Sequence, residues 1–288
     1  MDRIRQALDR VREERKKTES FTRAPIIGTR RATAHSTDGA AADGLTPPDE
    51  RPDAARFVYT RTRVFSPSAE VLEANRILNP GANDAASAGY RMLRTQVLQR
   101  MHANGWRSLA IFGPTSSDGK TTTAINLAVS IANDHRHSVL LVDFDFRRPT
   151  LASRLGLAPE YGADDALTGN APLEDCLYHP AGFERLVILP ARNMLMNSSE
   201  ILASPHTQQL VSELRGRYPE RMVLFDLPPV LSADDALAFA PLVECGVVVV
   251  AESRTRREDL MRTIELLHKT PILGTVLNEA SSPSSIAY

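Results

Sequence analysis

The stretch Leu-Ala-Ile-Phe-Gly-Pro-Thr-Ser-Ser-Asp-Gly-Lys-Thr-Thr-Thr at residues 109–123 runs from an apolar strand-like segment into a glycine–lysine–threonine turn, and the helix-forming residues 124–132 follow at once. This order constrains the fold more than any other feature of the chain. A strand that turns sharply and re-emerges as a helix points backbone N–H groups and a helix N-terminus at one spot, which is what a polyphosphate requires. Gly119 permits close approach of the backbone, Lys120 supplies a cation for the β- and γ-phosphates, and Thr121 supplies a hydroxyl for Mg²⁺. Ser116, Ser117, Asp118 and Thr122 complete the expected cradle. The usual pattern sets a first glycine five positions before the second. Here Pro114 occupies that position and Gly113 stands one residue early.

From residue 108 onward, apolar strands alternate with amphipathic helices, the pattern of a parallel α/β sheet. The expected strands are 109–112, 139–143, 186–189, 222–226, 246–251 and 272–278, and their continuous apolar runs suit strands covered on both faces. Helices are expected at about 122–134, 199–216, 233–242 and 255–268. The fold class is therefore α/β: a P-loop NTPase with a doubly wound, mainly parallel sheet that presents its ligand site at the C-terminal ends of the strands. Ahead of it, residues 1–17 place Ile4, Ala7, Leu8 and Val11 on one helical stripe, as a solvated or docking helix would. Residues 18–84 form a linker and extended arm, poor in large apolar residues up to 55, with a weak alternation at 57–65 that suits an edge strand. Helical patterns cover 68–78 and 84–102. The catalytic-type domain is set at 85–280 and a tail at 281–288, so the P-loop domain carries a flexible N-terminal extension.

The net charge of −1 gives no field that selects nucleic acid. Cys176 and Cys245 offer no disulfide or zinc framework, which fits a reducing cytoplasm. No segment is apolar for long enough to cross a bilayer, and the N-terminus lacks the apolar core of a signal peptide. A cytoplasmic protein is expected. His102, His135, His137, His179, His206 and His268 lack metal-ligand spacing and read as surface or loop residues, and Trp106 reads as a packing anchor.

Carboxylates collect at the strand ends. Val139-Leu140-Leu141-Val142 runs into Asp143-Phe144-Asp145, followed by Arg147-Arg148-Pro149, and Met222-Val223-Leu224-Phe225 runs into Asp226-Leu227-Pro228-Pro229. An aspartate after a strand is by itself usually a cap or turn residue. Two such ends in the same sheet as a Lys-Thr loop instead suggest a hydroxyl–carboxylate site for Mg²⁺. Asn278, at the end of the last strand, suits either a turn or a base edge.

Together, residues 115–128, 139–149 and 223–231 resemble the ordered motifs of the bacterial tyrosine kinases, the P-loop kinases of capsule and exopolysaccharide systems. Leu-Gly-Thr-Val-Leu-Asn at 273–278 and Ser-Ala-Gly-Tyr-Arg-Met-Leu-Arg-Thr at 87–95 are also similar to that family, so the resemblance spans about 85–280. It implies an ATP- and Mg²⁺-using enzyme that phosphorylates protein tyrosine, hydrolyses ATP and regulates polysaccharide polymerisation or export. Carried onto this chain, Lys120 and the N–H groups of 117–122 hold the phosphates, and Thr121 and Asp226 hold the metal with Asp143 beside them. Asp143 orients and deprotonates the tyrosine hydroxyl, Asp145 supports the metal or Lys120, and Asn278 contacts adenine. The implied partners are a membrane chain-length protein, which would recruit the chain to the inner membrane face, and further copies of the chain.

Several departures stand beside the resemblance. Ala88 replaces the glutamate of the family's ring-assembly motif, although Arg91 and Arg94 are kept. The tail holds one tyrosine, Tyr288, instead of a cluster, and Pro114 and Ser116 depart from the usual loop. Partition- or division-type ATPases share this chemistry but carry an early second lysine, where this chain has Pro114, Thr115 and Ser116. A nucleotide-binding scaffold without phosphotransfer is the third reading. The intact Lys120, Thr121, Asp143 and Asp226 argue against it.

Overall fold

Strands that are apolar on both faces need cover on both sides, and the computed structural model supplies it. The structure describes residues 62–281 except 83 and 219. The expected helix at 1–17, most of the arm and the tail with Tyr288 lie outside the described residues. The first half contains β1 (Arg63–Phe65), α1 (Ala69–Ala74), α2 (Ala85–Ala103), β2 (Ser108–Phe112), α3 (Lys120–Ala132), β3 (Ser138–Asp143), α4 (Leu151–Arg154) and α5 (Ala163–Thr168). The second contains β4 (Tyr178–Pro180), β5 (Leu186–Leu189), α6 (Ser198–Leu202), α7 (Pro205–Gly216), β6 (Arg221–Asp226), α8 (Asp235–Phe239), β7 (Cys245–Ala251), α9 (Arg257–Leu266) and β8 (Ile272–Asn278).

These strands form one eight-stranded sheet in the order β1-β4-β5-β3-β6-β2-β7-β8. Every neighbouring pair is parallel except β4 with β5. Period-2 alternation divides each central strand between two cores. Ala110 and Phe112 of β2 face a core containing Phe144, Phe146, Phe225 and Phe239, and Leu109 and Ile111 face one filled by α3. The rings of the aromatic core pack tilted or edge to face, with the Phe144 and Phe239 rings T-shaped at 5.1 Å. α3 is buried nearly all round, with Ile125, Leu127, Val129 and Ile131 inside, because α2 packs over its outer side. Trp106 packs against this second core as expected.

The differences from the sequence reading have local causes. The expected helix at 199–216 is two helices, because Ser204 caps α7 by accepting the Thr207 N–H and Pro205 takes the first helical position. The helix expected at 233–242 is α8 followed by a 3₁₀ turn at Ala240–Leu242, with Pro241 inside it. β4 was not anticipated; three residues are too few to show a period. β8 is not covered on both faces: it is the sheet edge, and Leu277 is exposed. His137 and His179 are buried, not surface residues. The ring of His179 bonds the Leu186 carbonyl at 2.9 Å, and that of His137 stacks on His102. Both cysteines are buried, and burial pushes their thiols up to about 12.

Glu244, just before β7, fixes the start of the P-loop strand. It accepts the N–H groups of Arg107 and Ser108 at 2.7 and 2.8 Å, the Ser108 hydroxyl at 2.9 Å and Arg215 at 2.6 Å. Burial opposes its charge, but these four donors outweigh burial and hold the carboxyl below its usual range. Glu244→Ala is expected to lose roughly 1.5–3 kcal/mol in denaturant unfolding at pH 7, the scale for hydrogen bonds to a charged group. A depressed folded-state pKa contributes stability above the unfolded value and loses it as pH falls through the folded one. The gap between wild type and variant should therefore narrow below about pH 4, and a gap independent of pH would contradict the assignment.

Candidate functional site

Strand β2 ends at Phe112 and the chain turns through Gly113. A Cβ on Gly113 would sit 2.9 Å from Cγ of Lys120 and 3.0 Å from the Val249 carbonyl, so only glycine lets the lysine stem fold back against the strand end. The close approach expected one residue later is met here, which accommodates Pro114. Ser117 and Gly119 take positive φ, 70° and 90°, and α3 starts at Lys120 with no side-chain cap. The first-turn N–H groups of α3 are thus without intrahelical partners and face an anion site.

The loop is held from distant parts of the chain. The buried Asp118 carboxylate accepts the Thr115 N–H at 2.6 Å, the Thr115 hydroxyl at 2.9 Å and the Thr255 hydroxyl at 2.8 Å. Arg254 donates to the Ser117 carbonyl at 2.7 Å, and Asn278 to the Asp118 carbonyl at 3.1 Å. Behind the loop, Val230 and Leu231 donate to the carbonyls of Gly113 and Pro114 at 3.0 and 3.1 Å. Such bracing preorganises the donors before a ligand arrives.

The carboxylates meet through sheet register. Asp143 and Asp226 are paired positions on the adjacent parallel strands β3 and β6, so their side chains leave the sheet on the same face. Both are buried. Burial, then the Asp226 charge, pushes Asp143 far up. Burial also lifts Asp226 to about 7, against the Thr121 hydroxyl and Lys120, which favour its charge. Asp226 Oδ1 has no hydrogen-bond partner among the described residues. Lys120 donates to the Thr115 carbonyl at 2.8 Å, and burial lowers its pKa despite Asp226, Asp118 and Asp145 nearby. Asp145 is raised by burial, opposed by the Arg148 N–H and Lys120.

A cleft of about 540 Å³ lies over these groups, lined by Ser116, Ser117, Gly119, Lys120, Thr121, Thr122, Asp145 and Asn278 among others. Of the residues singled out in the sequence, Asp118, Asp143 and Asp226 lie beneath the cleft and are not part of its lining. Asp143 does not line the cleft: its oxygens accept the N–H groups of Asp145 and Leu151, each at 3.1 Å, so it braces the turn that carries Asp145. Asn278, which in the sequence suits either a turn or a base edge, lines the cleft and uses its amide N–H to clamp the loop. Asp118 contributes a brace as well as its place in the loop. Sequence reasoning missed Arg154 and Arg254, whose guanidinium groups reach the Thr122 hydroxyl at 3.0 Å and the Ser117 carbonyl. No motif marks them, since each lies beyond a strand or turn that the fold brings back. No cluster of three or more metal-type side chains occurs among the described residues.

Residues 109–287 match the family described as the CobQ/CobB/MinD/ParA nucleotide binding domain. The chain is 29% identical over 194 residues to tyrosine-protein kinase YwqD of Bacillus subtilis (strain 168), covering 67% of this chain and 80% of that protein. It is 30% identical over 218 residues to the succinoglycan biosynthesis transport protein ExoP of Rhizobium meliloti (strain 1021), covering 71% of this chain but only 26% of ExoP. The solved kinase domain of VpsO superposes with a TM-score of 0.61 at 28% identity, over 68% of this chain and 96% of that one.

At Gly119, an added Cβ would lie 1.9 Å from Nδ2 of Asn278. Gly119→Ala should therefore displace the clamp and strain a left-handed residue by about 1 kcal/mol. The expected outcome is at least ~10-fold weaker ATP·Mg²⁺ binding by titration calorimetry, with a cooperative melt retained. Wild-type affinity in the variant would show that the clamp is dispensable.

Proposed function

The chain belongs to the CobQ/CobB/MinD/ParA nucleotide-binding family, and from that premise we propose that it binds ATP·Mg²⁺ and transfers the γ-phosphate to protein tyrosine, in control of exopolysaccharide or capsule assembly. The observation that carries the reading is the arrangement at the strand ends: a loop lysine, the Thr121–Asp226 pair with one carboxylate oxygen unpartnered, and Asp145 on the cleft wall. The names of YwqD, ExoP and the VpsO kinase domain support the choice of reaction and pathway.

The unpartnered, buried Asp226 oxygen beside a threonine hydroxyl fits a hard cation with oxygen ligands. In this reading Thr121 and Asp226 would hold Mg²⁺, directly or through water, with Asp143 behind them, and the ion would supply neutralisation of phosphate charge. Lys120 and the N–H groups of 117–122 position the triphosphate in line with the acceptor. The phenol oxygen bonds to the γ-phosphorus as the bond to the β–γ bridging oxygen breaks, and ADP leaves. Asp145 receives the phenol proton. We assign that role to Asp145 instead of Asp143, because Asp145 lines the cleft while both oxygens of Asp143 hold backbone N–H groups. The raised pKa of Asp145 makes it a better proton acceptor than an ordinary surface carboxylate.

No helix among the described residues is long and apolar enough to cross a membrane. The proposed setting is the cytoplasmic face of the membrane, reached through a chain-length protein, with other copies of the chain as further partners. A partition- or division-type ATPase switch is the competing reading within the same family. The Pro114–Ser116 segment, where those proteins carry a second lysine, weighs against it.

Incubation of the full chain with ATP·Mg²⁺, with and without a chain-length partner, followed by phosphotyrosine mapping, tests the reading. Phosphotyrosine is the expected product, and hydrolysis with no protein phosphorylation would support the switch instead. Lys120→Met should lower ATP turnover by ~10²-fold or more and leave the melting temperature within a few degrees. Normal turnover in that folded variant would sink the assignment.

A further inference from the structure

Residues 62–79 precede the matched domain, which begins at residue 109, yet they reach the phosphate cleft. β1 pairs in parallel with β4, and Leu72 and Ile77, within and just after α1, are buried. Helix α1 ends in a Schellman motif: the Ile77 N–H donates to the Leu72 carbonyl at 2.8 Å and the Arg76 N–H to the Glu73 carbonyl at 3.0 Å, after the cap residue Asn75. This motif puts the residue after the cap in the left-handed region, where glycine is favoured. Arg76 stands there with φ of 56°. For the helix end alone, glycine would be the more stable choice, so the arginine side chain has a use that offsets its strain.

The cleft supplies that use. Ala74, Asn75 and Arg76 form part of the wall of the cavity that also holds Lys120, Thr121 and Asp145. Of the three other cleft arginines, Arg154 is committed to the Thr122 hydroxyl and Arg254 to the Ser117 carbonyl and, at 3.1 Å, Glu279, while Arg148 is exposed on the short turn after β3 and, unlike Arg76, is not held in place by a bond from the phosphate-binding helix. The Arg76 guanidinium has no partner among the described residues, and the residue is exposed to the cavity. Its backbone is held from the phosphate-binding helix itself: Asn126 of α3, only 2% exposed, accepts the Leu78 N–H and donates to the Arg76 carbonyl, both at 2.9 Å. Lys120 opens the same helix, so the helix that frames the phosphates also sets the position of Arg76.

We infer that Arg76 is a phosphate-contacting cation, supplied in cis by a segment outside the nucleotide-binding domain and directed at the terminal phosphate of a bound nucleoside triphosphate. Backbone N–H groups of such a loop cradle the inner phosphates, so a cation for the terminal one can stand on a wall of the same cleft outside the loop, and Arg76 is part of such a wall. A guanidinium meets phosphate oxygens in a two-pronged geometry that a lysine cannot reproduce. The inference rests on the proposed function and deepens it.

Arg76→Gly is the test, because glycine is the residue the helix end favours and folding is kept. The melting temperature should equal or exceed that of wild type. ADP·Mg²⁺ affinity should stay within about twofold, affinity for a non-hydrolysable ATP analogue with Mg²⁺ should fall ~10-fold, and ATP turnover should fall ~10²–10³-fold, the range for one charge-stabilising donor. Arg76→Lys should restore only part of the turnover. Unchanged analogue affinity and turnover in Arg76→Gly, beside a wild type that binds both nucleotides, would overturn the inference and leave the nucleotide site standing. Equal losses for ADP and the analogue, or a loss confined to the KM of an acceptor peptide, would also overturn it. A wild type that binds neither nucleotide would overturn the proposed function as well.

Discussion

The interaction on which the rest of the structure depends is the pairing of two buried carboxylates across the sheet. Asp143 and Asp226 are opposite each other in parallel register, both inaccessible to solvent, with Lys120 as the nearby cation. Burial disfavours both charges and pushes both upward; the Asp226 charge adds to the rise of Asp143, and the Asp145 charge adds to that of Asp226. A fold selected for stability alone would place apolar residues at these strand ends, as it does through the middle of β3 (139–142) and β6 (222–225). The remaining architecture is arranged to hold the pair. The turn after β3 wraps its N–H groups around Asp143, α3 brings Thr121 to Asp226, and the segment after β6 straps the loop from behind.

That strapping makes the loop a product of tertiary structure as much as of its own residues. Asn278 lies 160 positions from the carbonyl it clamps, Arg254 lies 137 positions from the Ser117 carbonyl, and Thr255 lies 137 positions from the Asp118 carboxylate to which it donates. The loop is therefore complete only when β7 and the edge strand β8 have docked, and its open state belongs to the same cooperative unit as that edge. An edge strand with exposed apolar residues such as Leu277 is an expensive element to maintain. Its last residue, Asn278, gives a reason for its retention.

What could be read from the sequence follows the range of the forces involved. The loop, the strand ends at Asp143 and Asp226 and the alternation of the central strands are local patterns, and they appear in the structure where the residues place them. The break at Ser204-Pro205 was also local and was legible in principle, since serine before proline is a capping signal. The roles of Asp143, Asn278 and Arg254 were not legible, because each depends on which atoms lie nearby after folding. An aspartate that braces a turn and one that faces a cleft look alike in sequence; both oxygens of Asp143 accept N–H groups beneath the cleft, while Asp145 accepts the Arg148 N–H through Oδ1 and lines the cavity.

The matched domain covers what nucleotide-binding proteins of this family have in common, and the segment before it adds what makes this site particular. Residues 62–79 contribute a strand to one sheet edge and, through Ala74, Asn75 and Arg76, a wall to the cleft. Their attachment is economical: a single buried asparagine on the phosphate-binding helix bonds the Arg76 carbonyl and the Leu78 N–H. Because that asparagine and Lys120 share one rigid helix, any shift of α3 on ligand binding moves the loop lysine and the Arg76 backbone together. The cations from the loop and from the preceding segment are thus mechanically one unit, although they come from parts of the sequence that only the fold connects.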